Sequence, residues 1–358
     1  MDKIFKAICL SGVLAFTPTV VWAAQDAQSS ELTATNVAAN SSQPQSQPQS
    51  PAEPNSGSNS EPTGSFTPPN LDAVVAQVRR SLSQLNFEAS FVLVQGKFAE
   101  PYNWMHGIYQ GQEIEYLRSQ NGDNKEIVRK GDLIGYFDAE AQPYAVKSRA
   151  IQGILPALFF DQSITLGDYY SIALGGKSRI LDRVAQQFRI VSRDNFRFDY
   201  WLWLDVKTGL LLKSALVSKS SEVLEQFQMT HLNVLEQPPA LAQKLAETHL
   251  PKPKADNEHN NKLRWQLNWL PQGFKLISAN QHKLPLTGEF TDYILLSDGL
   301  VELSVFVQQP LSQSLKGGSI RSGSNIVAVH RGNGFDVSVI GKVPGITAER
   351  IAKGVSAR

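Results

Sequence analysis

Cysteine is almost absent from this chain of 358 residues, and the single one is Cys9. Beyond that position the chain can form no internal disulfide, no thiolate metal site and no thiol nucleophile, so a hydrophobic core must hold the fold by itself. An excess of charge is missing as well, because 34 Lys and Arg residues stand against 33 Asp and Glu residues. Since nucleic-acid-binding proteins usually show a strongly basic balance or stripe, we expect no nucleic-acid partner.

The motifs of several catalytic classes are also missing. No Gly-x-Ser-x-Gly nucleophile elbow occurs. Gly176, Lys177 and Ser178 match the end of a phosphate-binding loop, but the pattern also needs a glycine at position 171, where this chain has Ser171. We interpret residues 176–178 as a β-turn. No two histidines are four residues apart with a Glu between them, so we expect no zinc site; the histidines are His106, His231, His249, His259, His282 and His330. We expect neither catalysis nor a cofactor.

The first residues have the pattern of a signal peptide. Lys3 and Lys6 precede an apolar stretch over residues 8–21, and small side chains favour cleavage after Ala23, with Ala24 as the neighbouring alternative. The stretch is shorter than the roughly 20 apolar residues that a membrane span needs. We therefore expect export to the periplasm rather than a retained membrane anchor.

Composition divides the chain into five segments. Ser, Gln, Pro and Asn dominate the region after the signal peptide, which cannot bury enough apolar surface to fold. A second Pro-rich and charged region reads as a linker that contains a short helix near residues 241–249. The predicted segments are a signal peptide in residues 1–23, a disordered segment in 24–70, a first domain in 71–236, a linker in 237–261 and a second domain in 262–358.

Periodicity predicts a helix followed by many strands in the first domain. Asn70 is a plausible N-cap, and apolar residues follow at helical spacing: Leu71, Val74, Val75, Val78, Leu82 and Leu85. Alternating patterns then predict strands, most clearly a long hairpin over residues 196–217 that reverses at 207–209, and another strand over 223–232. With few helices between them, these strands are expected to form one large antiparallel sheet.

The second domain is predicted to be a small α+β unit. It begins near Trp265 and contains a hairpin over residues 293–307, which turns around Ser297, Asp298 and Gly299, and a second hairpin over residues 325–340. A helix is expected after Pro344, with Thr347 as its cap and a buried face of Ile351, Ala352 and Val355.

An ordered series of short stretches runs through both predicted domains. In the first domain the stretches are residues 85–88, 126–131, 180–193, 203–205 and 224–227. In the second domain they are Trp269-Leu-Pro-Gln-Gly-Phe274, Tyr293, residues 297–300, residues 339–344, Thr347, Ile351 and Ala352. The ordered series resembles the RseB/MucB family of regulators of the envelope-stress sigma factor. Residues 113–124 and the long Ser/Gln/Pro-rich segment depart from the family pattern.

The resemblance implies a lipoprotein-carrier-like first domain, a half-open antiparallel barrel with helices in its concavity, followed by a small α+β domain. It also implies a periplasmic negative regulator of the sigma-E response. Such regulators bind the periplasmic part of an RseA/MucA-like anti-sigma factor and shield it from the site-1 protease, and lipid or lipopolysaccharide is the implied releasing signal. A periplasmic lipid or lipoprotein carrier and a hydrolase are the alternatives. The second domain favours regulation, because a carrier needs only the half-barrel.

A lipid site needs concave apolar area with a few polar groups at its mouth. Our candidates for the cavity lining are Phe91, Trp104, Tyr136, Phe159, Trp201 and Trp203, and those for a cationic rim are Arg129, Arg179 and Arg193. Which face of each strand points inward stays open, and Trp201 and Trp203 could instead pack against a helix. His106 is interpreted as a hydrogen-bonded core histidine. A peptide partner is expected between the domains or along a strand edge, and homo-oligomerisation stays open.

Overall fold

The computed structural model describes residues 70–122, 124–139, 141–151, 153–253, 264–283, 290–310, 317–332 and 334–358. The predicted signal peptide, nearly all of the Ser/Gln/Pro-rich segment and the end of the predicted linker lie outside the described residues. The described part belongs to one compact unit and contains an 11-stranded sheet, a six-stranded sheet and a two-stranded pair. We call residues 70–253 the large lobe and residues 264–358 the small lobe.

Helix α1 (Leu71–Gln84) opens the large lobe, as predicted. The side chain of Asn70 accepts a hydrogen bond of 2.9 Å from the backbone N–H of Asp72 and so caps the helix. The buried face consists of Val74, Val75, Val78, Ser81 and Leu82. Ser81 also donates to the backbone carbonyl of Gly209 at 2.9 Å, which ties α1 to the sheet.

The large sheet is antiparallel throughout. Its strands are β1 (Asn86–Gln95), β2 (Phe98–Tyr109), β3 (Gln112–Ser119), β4 (Lys125–Lys130), β5 (Leu133–Asp138), β6 (Ala141–Lys147), β7 (Tyr170–Ile180), β8 (Arg183–Ser192), β9 (Asp199–Asp205), β10 (Leu211–Val217) and β11 (Val223–Leu235). Their order is β6-β5-β4-β3-β2-β1-β11-β10-β9-β8-β7. Because β6 and β7 do not pair with each other, the sheet stays open, which confirms the predicted half-open arrangement.

The two faces of this sheet have different neighbours. On the inner face, buried residues such as Phe87 and Phe91 of β1 and Leu202 of β9 form one hydrophobic cluster with α1. On the outer face, α2 (Ala240–Glu247) packs over β2 and β3 and forms a small separate cluster with them. A 3-10 turn, Ala157–Phe159, lies between β6 and β7 in sequence.

The small lobe contains a six-stranded antiparallel sheet and one helix. Its elements are β12 (Trp265–Leu267), β13 (Lys275–Lys283), β14 (Phe290–Ser297), β15 (Glu302–Gln308), β16 (Gly318–Ser322), β17 (Asn325–Arg331), β18 (Asp336–Gly341), α3 (Gly345–Lys353) and β19 (Val355–Ala357). The sheet order is β13-β14-β15-β18-β17-β16, while β12 pairs with β19. The predicted hairpins β9/β10, β14/β15 and β17/β18 are confirmed, and so is the α+β class.

Three local predictions were wrong. Residues 176–178 belong to strand β7, next to a register irregularity between Leu174 and Lys177, and not to a β-turn. Thr347 is not the cap of α3, because the helix begins directly after Pro344, and Thr347 is buried inside its first turn. Val355 lies in β19, since α3 ends at Lys353.

Candidate functional site

Four of the six aromatic candidates lie together on the inner side of the large sheet. The ring centroids of Phe91 and Trp104 are 6.0 Å apart, and the ring of Phe159 lies 6.2 Å from that of Tyr200. Tyr136 shares the hydrophobic cluster with these residues and with α1. All four candidates are almost fully buried in this packing. Their contact with a lipid stays a prediction.

Trp201 and Trp203 are only half-buried, although Trp203 packs against the same hydrophobic cluster. They alternate with the buried Leu202 along β9, so their half-buried side chains are on the outer face of the sheet. The guanidinium of Arg189 lies 4.4 Å from the centroid of a Trp201 ring, and the ammonium of Lys213 lies 5.0 Å from that of Trp203. The two tryptophans therefore form a cationic and aromatic patch on the face opposite to α1.

Arg129, a candidate for the rim, is buried in an ionic cluster. Its Nε lies 2.6 Å from a carboxylate oxygen of Glu115, and its Nη1 lies 2.7 Å from one of Glu113. The other oxygen of Glu115 accepts a hydrogen bond of 2.6 Å from the indole N–H of Trp104. Burial lowers the pKa of Arg129, but the two carboxylates outweigh that effect and the pKa is raised. Arg129 is thus engaged inside the large lobe.

The other two arginine candidates are exposed and lie elsewhere. Arg179 stands near the end of the edge strand β7 and forms an exposed ion pair with Asp182. Arg193 follows β8 and is exposed. Arg129 belongs to β4, which seven other strands separate from β7 in the sheet order. The structure does not bring the three arginines together at one rim.

His106 is a buried core histidine whose ring stacks on Phe87, with centroids 5.5 Å apart. Its Nδ1 lies 2.6 Å from the carbonyl oxygen of Leu85. Because a carbonyl only accepts hydrogen bonds, Nδ1 carries the proton and the neutral ring presents a bare Nε2. Burial lowers the pKa of His106, although the nearby Glu115 opposes that shift.

A cavity of about 180 Å³ lies between the two lobes. Its apolar walls include Ile151, Leu155 and Leu216 from the large lobe and Leu295, Leu300 and Ile340 from the small lobe. The polar side chains that line it include Gln95, Glu225, Tyr293, Glu302 and Lys342. Apolar walls with a few polar groups are typical of ligand sites, so this cavity is the candidate functional site.

One side of the interlobe boundary is held by a buried ion pair. Nη1 of Arg197 lies 3.3 Å from Oδ2 of Asp298, and the Tyr170 hydroxyl donates to the same oxygen at 2.8 Å. Arg197 also donates to the backbone carbonyl of Gln272 in the small lobe. Burial raises the pKa of the Asp298 carboxyl, while hydrogen bonds and the charge of Arg197 offset part of this rise. We call Arg197, Tyr170 and Asp298 the Arg197 cluster.

A second polar group crosses the boundary at Glu225 of β11. One carboxylate oxygen accepts from Gln95 at 2.8 Å and from the Ser324 hydroxyl at 2.7 Å, while the other lies 2.7 Å from Nζ of Lys342. Ser324 and Lys342 belong to the small lobe. We call these four residues the Glu225 cluster, and they satisfy a carboxylate that is nearly buried.

Helix α3 supplies a third link between the lobes. The hydroxyl of Thr347 donates to the backbone carbonyl of Phe196 at 2.9 Å. The ring of Phe196 lies 5.1 Å from that of Trp269, and the guanidinium of Arg350 lies 4.1 Å above Trp269. The hydrogen bond to the large lobe accounts for the burial of the polar Thr347 side chain in α3.

Two family models match this chain over nearly all of its described length. The MucB/RseB N-terminal domain matches residues 70–253, and the MucB/RseB C-terminal domain matches residues 259–356. The chain belongs to the MucB/RseB family. It is 29% identical over 292 residues to the sigma-E factor regulatory protein RseB of Escherichia coli (strain K12), covering 80% of this chain and 91% of RseB. It is 32% identical over 285 residues to the sigma factor AlgU regulatory protein MucB of Pseudomonas aeruginosa, covering 75% of this chain and 85% of MucB.

Solved structures of the MucB/RseB family have a similar fold. A chain in the complex structure of Pseudomonas aeruginosa MucA/MucB has 27% identity and a TM-score of 0.65, covering 80% of this chain and 98% of that one. A chain in a crystal structure of MucB in complex with MucA(peri) has 26% identity and a TM-score of 0.63, with coverage of 81% and 99%. A crystal structure of MucB gives a TM-score of 0.55 at 26% identity, with coverage of 80% and 98%.

The interlobe cavity lies between the two MucB/RseB domains, and the ion pair of Arg197 and Asp298 that joins these domains elsewhere along their boundary was not predicted. Asp298 was predicted only as a turn residue and as part of the family resemblance. Arg197 was predicted as part of a strand, but it lies before β9, which begins at Asp199. Their pairing depends on how the lobes dock, which no local pattern encodes. A local signal that points to Arg197 is its position beside aromatic residues in a β-rich region, and that signal is weak.

In the described part of this MucB/RseB chain, no group of three or more His, Cys, Asp or Glu side chains is arranged to hold a metal ion. Of the helices in the same ranges, none combines the length and the apolar character that a bilayer-spanning segment needs.

Proposed function

We propose that this chain is a periplasmic negative regulator of a sigma-E-type envelope stress response. It binds the periplasmic part of an RseA/MucA-like anti-sigma factor and shields that segment from site-1 proteolysis. Lipid or lipopolysaccharide is the proposed releasing signal. The role is one of binding, as in the regulatory proteins of this family.

The observation that carries the proposal is the presence of both family domains in one chain, in order, with a shared and buried interlobe boundary. Relatives with the same two domains are regulators of sigma-E or AlgU by name, and MucB forms a complex with MucA(peri). A lipid carrier would need only the large lobe. The Arg197 and Glu225 clusters instead bond the small lobe to the large one.

The direct test uses the exported full chain and the periplasmic segment of a membrane-spanning anti-sigma factor from the same organism. Calorimetry measures their binding, and a cleavage assay with the site-1 protease measures protection of the segment. We expect one-to-one binding, slower cleavage in the presence of the chain, and recovery of cleavage when lipopolysaccharide is added. An absence of both binding and protection contradicts the regulator. Lipid binding without any effect on the segment supports the carrier instead.

The proposed location has its own test. We propose that residues 1–23 act as a signal peptide. N-terminal sequencing of the exported protein is expected to begin at Ala24 or Gln25. A membrane-bound product that begins at Met1 contradicts export by cleavage.

A further inference from the structure

The interlobe cavity has the size of a short aliphatic guest. An apolar cavity of about 150 Å³ holds benzene, a molecule of six carbons, so the cavity of about 180 Å³ found here accommodates a chain of similar length. Its walls are formed largely by aliphatic side chains from both lobes. A guest in this cavity therefore contacts both lobes at once.

The charges around the cavity are unequal. Its lining contains two carboxylates, Glu225 and Glu302, and one ammonium, Lys342. Nζ of Lys342 already forms an ion pair with a carboxylate oxygen of Glu225 at 2.7 Å, and Glu225 accepts two further hydrogen bonds. Glu302 has no Lys or Arg nitrogen within 4.0 Å among the described residues. The cavity therefore carries one negative charge without a close counter-ion.

Glu302 is placed to meet a guest at the cavity's edge. It is the first residue of β15, and it is exposed to solvent while also lining the cavity. A cation beside Glu302 would supply the counter-charge that the protein does not.

We infer that the interlobe cavity binds an unbranched aliphatic chain that ends in a cation, and that Glu302 selects the cation. This inference rests on the proposed function, and it assigns the guest as a Lys or Arg side chain of the bound anti-sigma segment. Such side chains bury an apolar stem while the charged end stays near water, which matches apolar walls with a carboxylate at the edge. A fatty acid or a phosphate group would instead bring a second negative charge next to Glu302.

The cavity is tested first with three probes of equal chain length: n-hexylammonium, 1-hexanol and hexanoate. The full exported chain is labelled with ¹⁵N, and the amide signals of Leu216 and Val301 are followed at pH 7 during each titration. We expect hexylammonium to bind on the order of fivefold more tightly than hexanol, as for a partly exposed charge pair, and hexanoate to bind most weakly. Hexanoate binding as tight as that of hexylammonium, or no shift with any probe, overturns the inference.

Two variants with matched chemistry identify the selecting group. Glu302→Gln keeps the shape of the side chain and removes its charge, so hexylammonium and hexanol are expected to bind equally. Glu222→Gln removes an exposed carboxylate that does not line the cavity, so the preference for hexylammonium is expected to persist. A preference that survives in Glu302→Gln contradicts the role of Glu302. Thermal melts of both variants verify that the fold is kept.

The assignment to a partner side chain needs the anti-sigma segment itself. Each Lys of the segment is replaced by norleucine and each Arg by citrulline, one at a time, and binding is measured to the native chain and to Glu302→Gln. The native chain and Glu302→Gln, each with the native and the substituted segment, form a double-mutant cycle. One replacement in the segment is expected to weaken binding to the native chain but not to Glu302→Gln. If the segment binds but no replacement couples to Glu302, the inference fails and the proposed function stands. If the segment does not bind at all, the proposed function and the partner assignment both fail, while the probe titrations still decide the cavity's selectivity.

Discussion

The guanidinium of Arg197 and the carboxylate of Asp298 face each other across the boundary between the lobes at 3.3 Å, and neither side chain is exposed to solvent. Tyr170 donates to the same carboxylate, and the backbone N–H groups of Leu300 and Val301 donate to its other oxygen. The Asp298 carboxylate thus depends on Arg197 from the other lobe for charge stabilisation that water would otherwise supply, whereas Arg197 also pairs with Asp194 of its own lobe at 3.4 Å. The lobes are consequently coupled in stability.

Breaking this pair from one side is expected to destabilise the protein strongly. Arg197→Met removes the cation and leaves Asp298 buried without its counter-charge, at a cost of about 3 to 5 kcal/mol in the free energy of unfolding. The double variant Arg197→Met/Asp298→Asn removes both charges and keeps an oxygen for the loop N–H groups, so it is expected to recover part of the loss. Urea unfolding followed by tryptophan fluorescence measures both. A loss below about 1 kcal/mol in the single variant would argue against the pair's importance.

The sequence predicted the local elements around this pair but not the pair. Strand alternation around Leu202 predicted β9, and Ser297, Asp298 and Gly299 predicted the turn between β14 and β15, because these signals depend on neighbouring residues. The inner face of β9 could not be predicted, since both of its side-chain sets contain large apolar or aromatic groups. Which of the two faces of β9 is buried depends on the face of the sheet against which α1 packs. The contact between Arg197 and Asp298 depends on the docking of two lobes, a long-range event that leaves no periodicity.

His106 is expected to make stability fall in mild acid. Its pKa is lowered in the fold by burial, whereas the unfolded chain binds a proton near pH 6.5. The contribution is therefore present above pH 6.5 and is lost as the pH falls towards the lower folded pKa, by at most about 1.4 kcal/mol per pH unit. His106→Asn retains a donor for the Leu85 carbonyl but does not titrate. Its free energy of unfolding is expected to change less between pH 7.5 and 5.5, and equal profiles for both proteins would contradict this account.

Trp104 and Trp203 are expected to differ in what their indole groups contribute. Trp104→Phe removes the N–H that donates to the buried Glu115, leaving that carboxylate one hydrogen bond short at a cost of about 1 to 3 kcal/mol. Trp203→Phe is the matched control on the outer face, where the half-buried ring is expected to tolerate the change within about 0.5 kcal/mol. Equilibrium unfolding in urea compares the two. Equal losses would show that the Glu115 hydrogen bond has no special weight.

Release of the partner is expected to require movement between the lobes. If lipid favours an arrangement that separates surfaces binding the anti-sigma segment, it lowers affinity for the segment, and linkage requires the segment to lower affinity for lipid by the same factor. A typical coupling of this kind is about 1 to 3 kcal/mol. Calorimetric titration of segment with and without saturating lipid, and of lipid with and without segment, measures both sides of the cycle.

A disulfide that links the two lobes distinguishes release by lobe movement from direct competition of lipid and segment for one binding surface. An ideal Cβ at Gly299 would lie 2.7 Å from Cγ2 of Ile164, so the two Cβ atoms are at most about 4.3 Å apart and within reach of a disulfide. Because Gly299 has a φ of +97°, a side chain there strains the backbone, and the oxidised form is therefore compared with the reduced form of the same variant. Since Cys9 is the sole native cysteine, Ile164→Cys/Gly299→Cys forms an unambiguous pair in the exported protein. The oxidised form is expected to bind the segment but to keep it when lipopolysaccharide is added, and reduction is expected to restore release. If the oxidised form releases the segment as readily as the reduced form, lipid displaces the partner without moving the lobes.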